Sequence, residues 1–366
     1  MIPSPAGADS GPPESARIVG WDIGGAHVKA ALLDAQGRLL RVEQLACALW
    51  TGLEPLQRAC DGVLQLLAPA PMLHAVTMTG EMADFFADRP DGVRTILDCI
   101  KQRLQARSGD ALWVFAGARG FLAPDDAARH WESVASANWL ATATCCARAA
   151  GAAVLVDIGS TTTDLVPCAG TRVLAVGTSD ATRLEAGELV YAGIVRTPLA
   201  GLSDRAPVLG AWRPTINEHY ATTADVFRVL GELDEACDLQ ASADNGPKSA
   251  QGSARRLLRM IGADLEPQTQ ELALALAHWY RECLIAKVVA GLHQRLSRGD
   301  VPAQAPLLGA GIGSFLVGEV ALRMRRPTAV LASLLGAPLA DPQLCRWAEH
   351  CAPAVAVARL AHASTV

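Results

Sequence analysis

The chain has 366 residues and a formal net charge of −5; hydrophobic residues make up 51% of it and charged residues 19%. That balance excludes global disorder, and the length is too great for one small core, so two domains are expected. A net negative charge without a Lys/Arg run argues against nucleic acid or an anionic lipid surface as the main partner.

Mean hydropathy is +0.22, which raises the membrane question. The apolar stretch at 272–292 is cut by His278, Arg281, Glu282 and Lys287, and 301–318 contains two prolines and four glycines. Neither reads as a membrane span. The ten cysteines form no C-x-x-C pair and no finger spacing. With no basic-then-apolar leader at the start, they are expected as reduced thiols in a cytoplasmic protein.

Residues 1–16, rich in Pro, Gly, Ser and Ala, read as a disordered tail. Ile18–Asp22 is an apolar strand ending in an Asp-Ile-Gly-Gly turn, followed by strands at Val28–Leu33 and Arg38–Leu45. Helical spacing covers Gly52–Leu67, an apolar run covers Leu73–Met78, and Thr79-Gly80-Glu81 closes it. A helix is expected at Asp91–Arg107, a strand at Leu112–Ala116 and an Ala-rich helix at Asn138–Ala150.

The opening pattern then returns. Ala152–Asp157 is a strand ending in Asp-Ile-Gly-Ser, with a second strand through Leu165, a turn at Ala169–Thr171 and a third strand at Arg172–Val176. ARIVGWDIGGAHVKAALLDAQGRLLRV and GAAVLVDIGSTTTDLVPCAGTRVLAV share strand, Asp-Ile-Gly turn, strand, turn, strand. Either copy alone is an ordinary hairpin; two at domain spacing indicate an internal duplication. The division is expected as a first domain at 17–150 and a second at 151–340, with an inserted α+β subdomain at about 178–262 and a C-terminal helical segment at 341–366. The insert carries short strands within Thr178–Pro198 and helices around Ala224–Glu232 and Lys248–Gly262; a long helix follows at Pro267–Arg298.

A third glycine element comes late. Pro306–Leu308 runs into Gly309-Ala-Gly311-Ile-Gly313-Ser314 and then an apolar helix from Phe315 to about Arg323. A strand, a Gly-rich turn and a helix start in that order suit an anion, because unpaired backbone N–H groups and the helix dipole face it.

This order of elements resembles the actin/hexokinase/Hsp70-type ATPase superfamily, whose fold is a pair of duplicated ribonuclease H-like α/β domains. WDIGGAHVKAAL, MTGEMADFF, ASANWLATA, VDIGSTTTDLVP, GELVYAGIVRTPL, ATTADVFRVLG, SARRLLRMIGAD and LLGAGIGSFL resemble the hydantoinase A/oxoprolinase group more closely. Within that group the likeness is to the tetrahydromethanopterin-linked one-carbon transfer branch, similar to the condensing enzyme of methanofuran biosynthesis. The resemblance implies a transferase reaction in which the phenolic oxygen of a glutamyl-tyramine displaces diphosphate from an aminomethylfuran-methyl diphosphate. Methylotrophic bacteria make a related furan cofactor, and the acceptor stays open between a tyramine-like and a tyrosine-like phenol. The alternative is an ATP-dependent small-molecule kinase or a hydantoinase A-like ATP-dependent amidohydrolase.

Either chemistry needs negative charge on phosphate neutralised by Mg²⁺ and by backbone N–H groups. Asp22 and Asp157 are the expected Mg²⁺ holders, because Mg²⁺ takes one or two carboxylates besides substrate oxygens. Gly24 and Gly25, and Gly159 with Ser160, Thr161 and Thr162, are the expected phosphate contacts. Gly309, Gly311 and Gly313 are expected to hold a nucleoside or the furan diphosphate, or are a relic of the duplicated fold. Lys29 is either a phosphate contact or a surface strand lysine, and Asp164 either touches the metal or faces solvent. His27 is a substrate adaptation or a tolerated turn residue. A phenol with an ordinary pKa of about 10 benefits from a base. Glu81 is the expected catalytic carboxylate, with Asp84 just beyond it; the alternative is an acid at a helix N-terminus. Arg183, Glu188 and Arg196, with Tyr191, are candidate substrate contacts in the insert, the arginines suiting a carboxylate or phosphate. Asn138 and Trp139 line the entry or belong to the core.

Overall fold

The computed structural model describes residues 16–67, 71–105 and 109–365; the tail expected before Ala16 lies outside them. β1 (Ala16–Ile23), β2 (His27–Asp34) and β3 (Leu39–Ala46) form an antiparallel meander. α1 (Glu54–Leu64) leads to β4 (Leu73–Met78), which returns parallel to β1. α2 (Arg89–Leu104) leads to β5 (Ala111–Phe115), parallel to β4, and the short β6 (Phe121–Leu122) pairs antiparallel at the edge. α3 (Pro124–Arg129), α4 (Trp131–Val134) and α5 (Asn138–Ala150) follow.

Strand periodicity puts Val19, Trp21 and Ile23 on one fully buried face, where Leu56, Ala59, Cys60 and Val63 of α1 join them at helical spacing. The Asp88 side chain caps α2 by accepting the Asp91 N–H, and Pro90 fits the first turn because its missing N–H would have no intrahelical partner.

The second half repeats the plan with β7 (Ala152–Ile158), β8 (Thr163–Ala169) and β9 (Arg172–Val173). α6 (Asp180–Glu185), β10 (Leu189–Val190) and the hairpin of β11 (Arg205–Val208) and β12 (Ala211–Pro214) come next. They are followed by α7 (Thr223–Val229), α8 (Ala250–Arg259), α9 (Gln270–Leu296), β13 (Leu307–Ala310), α10 (Val317–Met324) and β14 (Thr328–Ala329). β13 lies parallel to β7 and β14 parallel to β13. The sheet orders are β3-β2-β1-β4-β5-β6 and β10-β8-β7-β13-β14, with β9 on β8. A meander with parallel strands added beside its first member, made twice, is the duplicated ribonuclease H-like plan of actin-like proteins.

α11 (Leu331–Leu334), α12 (Pro342–His350) and α13 (Ala352–Thr365) end the chain. They draw the division differently from the expected 151–340 and 341–366. One compact unit takes the described residues up to Ala153, Pro167–Leu174 and everything from Val330; the other takes Val154–Val166 and Ala175–Ala329. α13 packs on β1, β2, β4 and α5 of the first unit. Its small side chains, buried throughout Ala352–Ala358, allow close approach: a Cβ on Gly20 of β1 would lie 2.1 Å from the Ala354 carbonyl oxygen. The expected C-terminal helical segment is thus part of the first unit's core.

Two local expectations also change. The third strand of the second meander stops at Val173 rather than Val176, because the Val176 and Gly177 N–H groups donate to the Glu188 carboxylate at 2.8 and 2.9 Å. The stretch after Thr178, expected to carry short strands, begins instead with α6, where Ser179 and Thr182 form a capping box. No disulfide joins the ten cysteines, and burial pushes the Cys47 thiol up to about 12. No helix among the described residues is long and apolar enough to cross a membrane.

Candidate active site

In the first unit the site is built where β1 ends. Asp22 is buried, and its β1–β2 register partner is Lys29, whose Nζ stands 3.6 Å from Asp22 Oδ2. Lys29 is therefore neither a plain surface residue nor free for phosphate alone: it neutralises Asp22 across the strands. On the other side, Asp22 is in register with Thr77 of β4, a fully buried threonine whose hydroxyl has no hydrogen-bond partner among the described residues. Asn138 Nδ2 donates to Asp22 Oδ1 at 3.4 Å, and Trp139 behind it is buried.

The Asp-Ile-Gly-Gly turn is closed by the Gly24 N–H donating to the His27 carbonyl at 2.9 Å. A Cβ on Gly24 would press on that carbonyl oxygen, whereas Gly25 faces open space. The Cys47 and Leu49 N–H groups donate to the Ala26 and Gly25 carbonyls, tying the segment after β3 to the turn. Glu81 sits in a single 3-10 turn, Gly80–Met82, just after β4. It is 1% exposed and accepts the Ser136 hydroxyl at 2.7 Å, whereas Asp84 is exposed. α2 packs against the Glu81 backbone at Gly92, where a Cβ would lie 2.3 Å from the Glu81 carbonyl oxygen. Trp50, Met82 and Phe85 are exposed large apolar side chains on these same segments.

The second unit repeats the turn to the atom. Gly159 N–H donates to the Thr162 carbonyl at 2.9 Å, as Gly24 does to His27, and the buried Asp157 corresponds to Asp22. The Ser160 hydroxyl is buried without a hydrogen-bond partner among the described residues; Thr161 and Thr162 are half-buried. Residues 193–196 clamp the turn. Ile194 N–H donates to the Gly159 carbonyl, and the Val195 and Arg196 N–H groups donate to the Ser160 carbonyl. Only glycine fits at 193, since a Cβ there would lie 2.5 Å from the Gly159 carbonyl oxygen.

The late glycine element packs on this turn. Ala310 is in register with Asp157, and Gly311 has a left-handed φ of 76° with its backbone against the Asp157 carboxylate. The expected anion seat of unpaired N–H groups is modified here. Gly313 N–H donates to the Ile158 carbonyl and Ser314 N–H to the Gly311 carbonyl. α10 begins only at Val317, after a 3-10 turn at Ser314–Leu316. Gly309, in β13, would meet Val317 Cβ at 3.2 Å, so its role is close packing of α10 on the strand.

The insert residues are corrected. Arg183 is buried, pairs with Asp164 Oδ1 at 2.8 Å and donates to the Glu188 carbonyl. Burial pushes the Asp164 carboxyl above its ordinary value despite the pull of Arg183, and the carboxylate, expected either to touch the metal or to face solvent, is paired with that arginine. Glu188 is fully buried and takes Arg295 Nε at 2.9 Å besides the two backbone N–H groups. Arg183 and Glu188, expected as substrate contacts, are thus both buried in ion pairs within the second unit. Arg196 and Tyr191 are exposed. His27 is a buried residue at the start of β2.

Ser136, Thr77 and Gly193 were not foreseen. Their signals are weak in sequence: a serine inside ASANW, a threonine in an apolar strand, and a glycine in the insert.

The hydantoinase/oxoprolinase family profile matches residues 73–342. A protein of Methanocaldococcus jannaschii, (4-{4-[2-(gamma-L-glutamylamino)ethyl]phenoxymethyl}furan-2-yl)methanamine synthase, is 30% identical over 253 residues, 68% of this chain and 72% of its own. The synthase of the same name from Methanococcus vannielii is 33% identical over 135 residues, 36% of this chain and 59% of its own. Among solved structures, a ROK family glucokinase from Streptomyces griseus in complex with glucose and AMPPNP aligns at 14% identity and a TM-score of 0.45. That alignment covers 93% of this chain and 97% of the glucokinase. On the profile match and the 30% identity, this chain belongs to the hydantoinase/oxoprolinase family.

Proposed function

We propose that this protein is a cytoplasmic transferase of methanofuran or methylofuran biosynthesis. It condenses an aminomethylfuran-methyl diphosphate with a glutamyl-tyramine- or tyrosine-like phenol. The phenolic oxygen attacks the furan methylene carbon, the carbon–oxygen bond to diphosphate breaks, and diphosphate leaves with the electron pair. The observation that carries this reading is the 30% identity to a synthase named for a phenoxymethyl-furan methanamine.

Chemistry within each unit supports it. The donors fit Mg²⁺, which favours hard oxygen ligands: Asp22 in the first unit and Asp157 in the second each offer a carboxylate that would suit it, and the ion would neutralise the departing diphosphate. Ser160, whose buried hydroxyl has no partner among the described residues, and the neighbouring Thr161 and Thr162 offer donors to phosphate oxygens. Lys29 holds Asp22 in place across the strands. Glu81, held by Ser136, is assigned the phenolic proton. Trp50, Met82 and Phe85 offer an apolar seat for the phenol ring beside it.

A second reading, ATP-dependent amide hydrolysis or kinase chemistry, needs the same Asp-Gly hairpins, and the family's description, hydantoinase/oxoprolinase, fits its amide-hydrolysis form. Asp22→Asn and Asp157→Asn test the site common to both. Each is expected to abolish metal-dependent turnover while the protein stays folded, and full activity in either variant would remove that carboxylate from the site.

A further inference from the structure

α4 ends at Val134 and α5 begins at Asn138, so three residues connect them. In the middle one, Ser136, the backbone is left-handed with φ 52°, a conformation that L side chains disfavour. From there the hydroxyl donates to Glu81 Oε1 at 2.7 Å, a contact spanning 55 positions of sequence. Two residues on, Asn138 Nδ2 donates to Asp22 Oδ1 at 3.4 Å. The Asn138 Oδ1 accepts the Trp139 N–H at 2.7 Å, which decides that the amide nitrogen is the atom facing Asp22. One short connection thus places a donor on each of the two carboxylates assigned to chemistry in this unit.

We propose that Ser136 and Asn138 are positioning residues: the connection after α4, together with the first residue of α5, holds Glu81 and Asp22 in reactive orientation. A carboxylate that must accept a proton from a ring oxygen loses rate when it can rotate away, and one charge-assisted hydrogen bond fixes which oxygen points at substrate. The Asn138 bond is long, so it orients Asp22 more than it stabilises it. The proposal rests on the catalytic roles given to Glu81 and Asp22 above, and the experiment separates the two.

Steady-state diphosphate release is measured, with both organic substrates supplied, for wild type and for S136A, S136G, N138A, E81Q, E81D, D22N and the double variant S136G/E81D. S136G is included because glycine adopts the left-handed backbone without strain, so it removes the hydroxyl and keeps the connection. Loss of the hydroxyl is expected to lower kcat about tenfold with KM within about twofold, the size of one charge-assisted hydrogen bond. N138A is expected to lower kcat in the same way. In the E81D background, where the shortened carboxylate no longer reaches residue 136, S136G is expected to make no further difference. If E81Q and D22N turn over like wild type, the assigned catalytic roles fail. If those two variants are inactive yet S136G and N138A keep full kcat, the positioning role is overturned. An equal S136G loss in the wild-type and E81D backgrounds also overturns it, because the hydroxyl then acts on structure and not through Glu81.

Discussion

A methyl group built on Gly311 would stand 2.4 Å from Asp157 Oδ1 and 2.3 Å from the Ile158 carbonyl oxygen, at a φ of 76°. The glycine-rich turn is thus fitted to the second Asp-Gly hairpin through backbone alone. Gly311→Ala is expected to combine left-handed strain with overpacking and cost about 2–4 kcal/mol. Gly318, exposed in α10 with open space around it, is the control. Gly318→Ala should be neutral or stabilise by about 0.5 kcal/mol. Denaturant unfolding of both variants measures the contrast.

Glu188 and Arg295 are both fully buried and joined at 2.9 Å, and Glu188 also takes two backbone N–H groups. Removing one charge leaves the other buried and uncompensated. Glu188→Ala is expected to destabilise by about 3–5 kcal/mol. Wherever the variant remains folded, KM for either substrate should be unchanged. A selective rise in KM without loss of stability would restore Glu188 to substrate binding.

Arg295 also reaches Asp300 with two parallel bonds, Nη1 to Oδ1 and Nη2 to Oδ2, each 3.0 Å. Those hydrogen bonds hold the Asp300 carboxyl below its ordinary value, outweighing partial burial. The folded pKa lies below the unfolded value of about 3.9, so the contribution to stability is fully present at higher pH. It is lost as pH falls through the folded value. Asp300→Asn should therefore be less stable than wild type at neutral pH, with the difference shrinking in acid. Unfolding midpoints across that range check the sign.

α13 crosses β1 at Gly20, where a Cβ would meet the Ala354 carbonyl oxygen at 2.1 Å and Ala358 Cβ at 2.7 Å. Gly20→Ala is expected to cost about 3 kcal/mol or more by pushing helix and strand apart. A chain ending before Ala352 should lose cooperative unfolding of the first unit, since β1 and β2 lose their cover. A separate C-terminal appendage would leave that transition intact.

Much of the frame is legible in residues because it is local. Asn138–Ala150 and Leu73–Met78 have the bounds their periodicity implies. The two Asp-Ile-Gly hairpins share a closing hydrogen bond because the same short turn chemistry is written twice. What depends on distant partners was not legible. Nothing in the sequence pairs Arg183 with Asp164 or Glu188 with Arg295, the ion pairs that bury them. The N–H of Gly313 looks available until Ile158 takes it. α13, built of Ala and Val, has no strong polar face to show which side is buried, and only the glycine in β1 hints at its seat. Ser136 acquires meaning only beside Glu81.

The most direct test of the proposed chemistry is a paired product assay on the purified protein with Mg²⁺. One arm supplies an aminomethylfuran-methyl diphosphate with a phenolic amine, together and singly; the other supplies ATP alone and with each organic substrate. The account predicts stoichiometric diphosphate and aryl ether only when both organic substrates are present, with no dependence on ATP. Phosphate released from ATP, with no ether formed in the first arm, would contradict it and give the site to ATP-dependent chemistry.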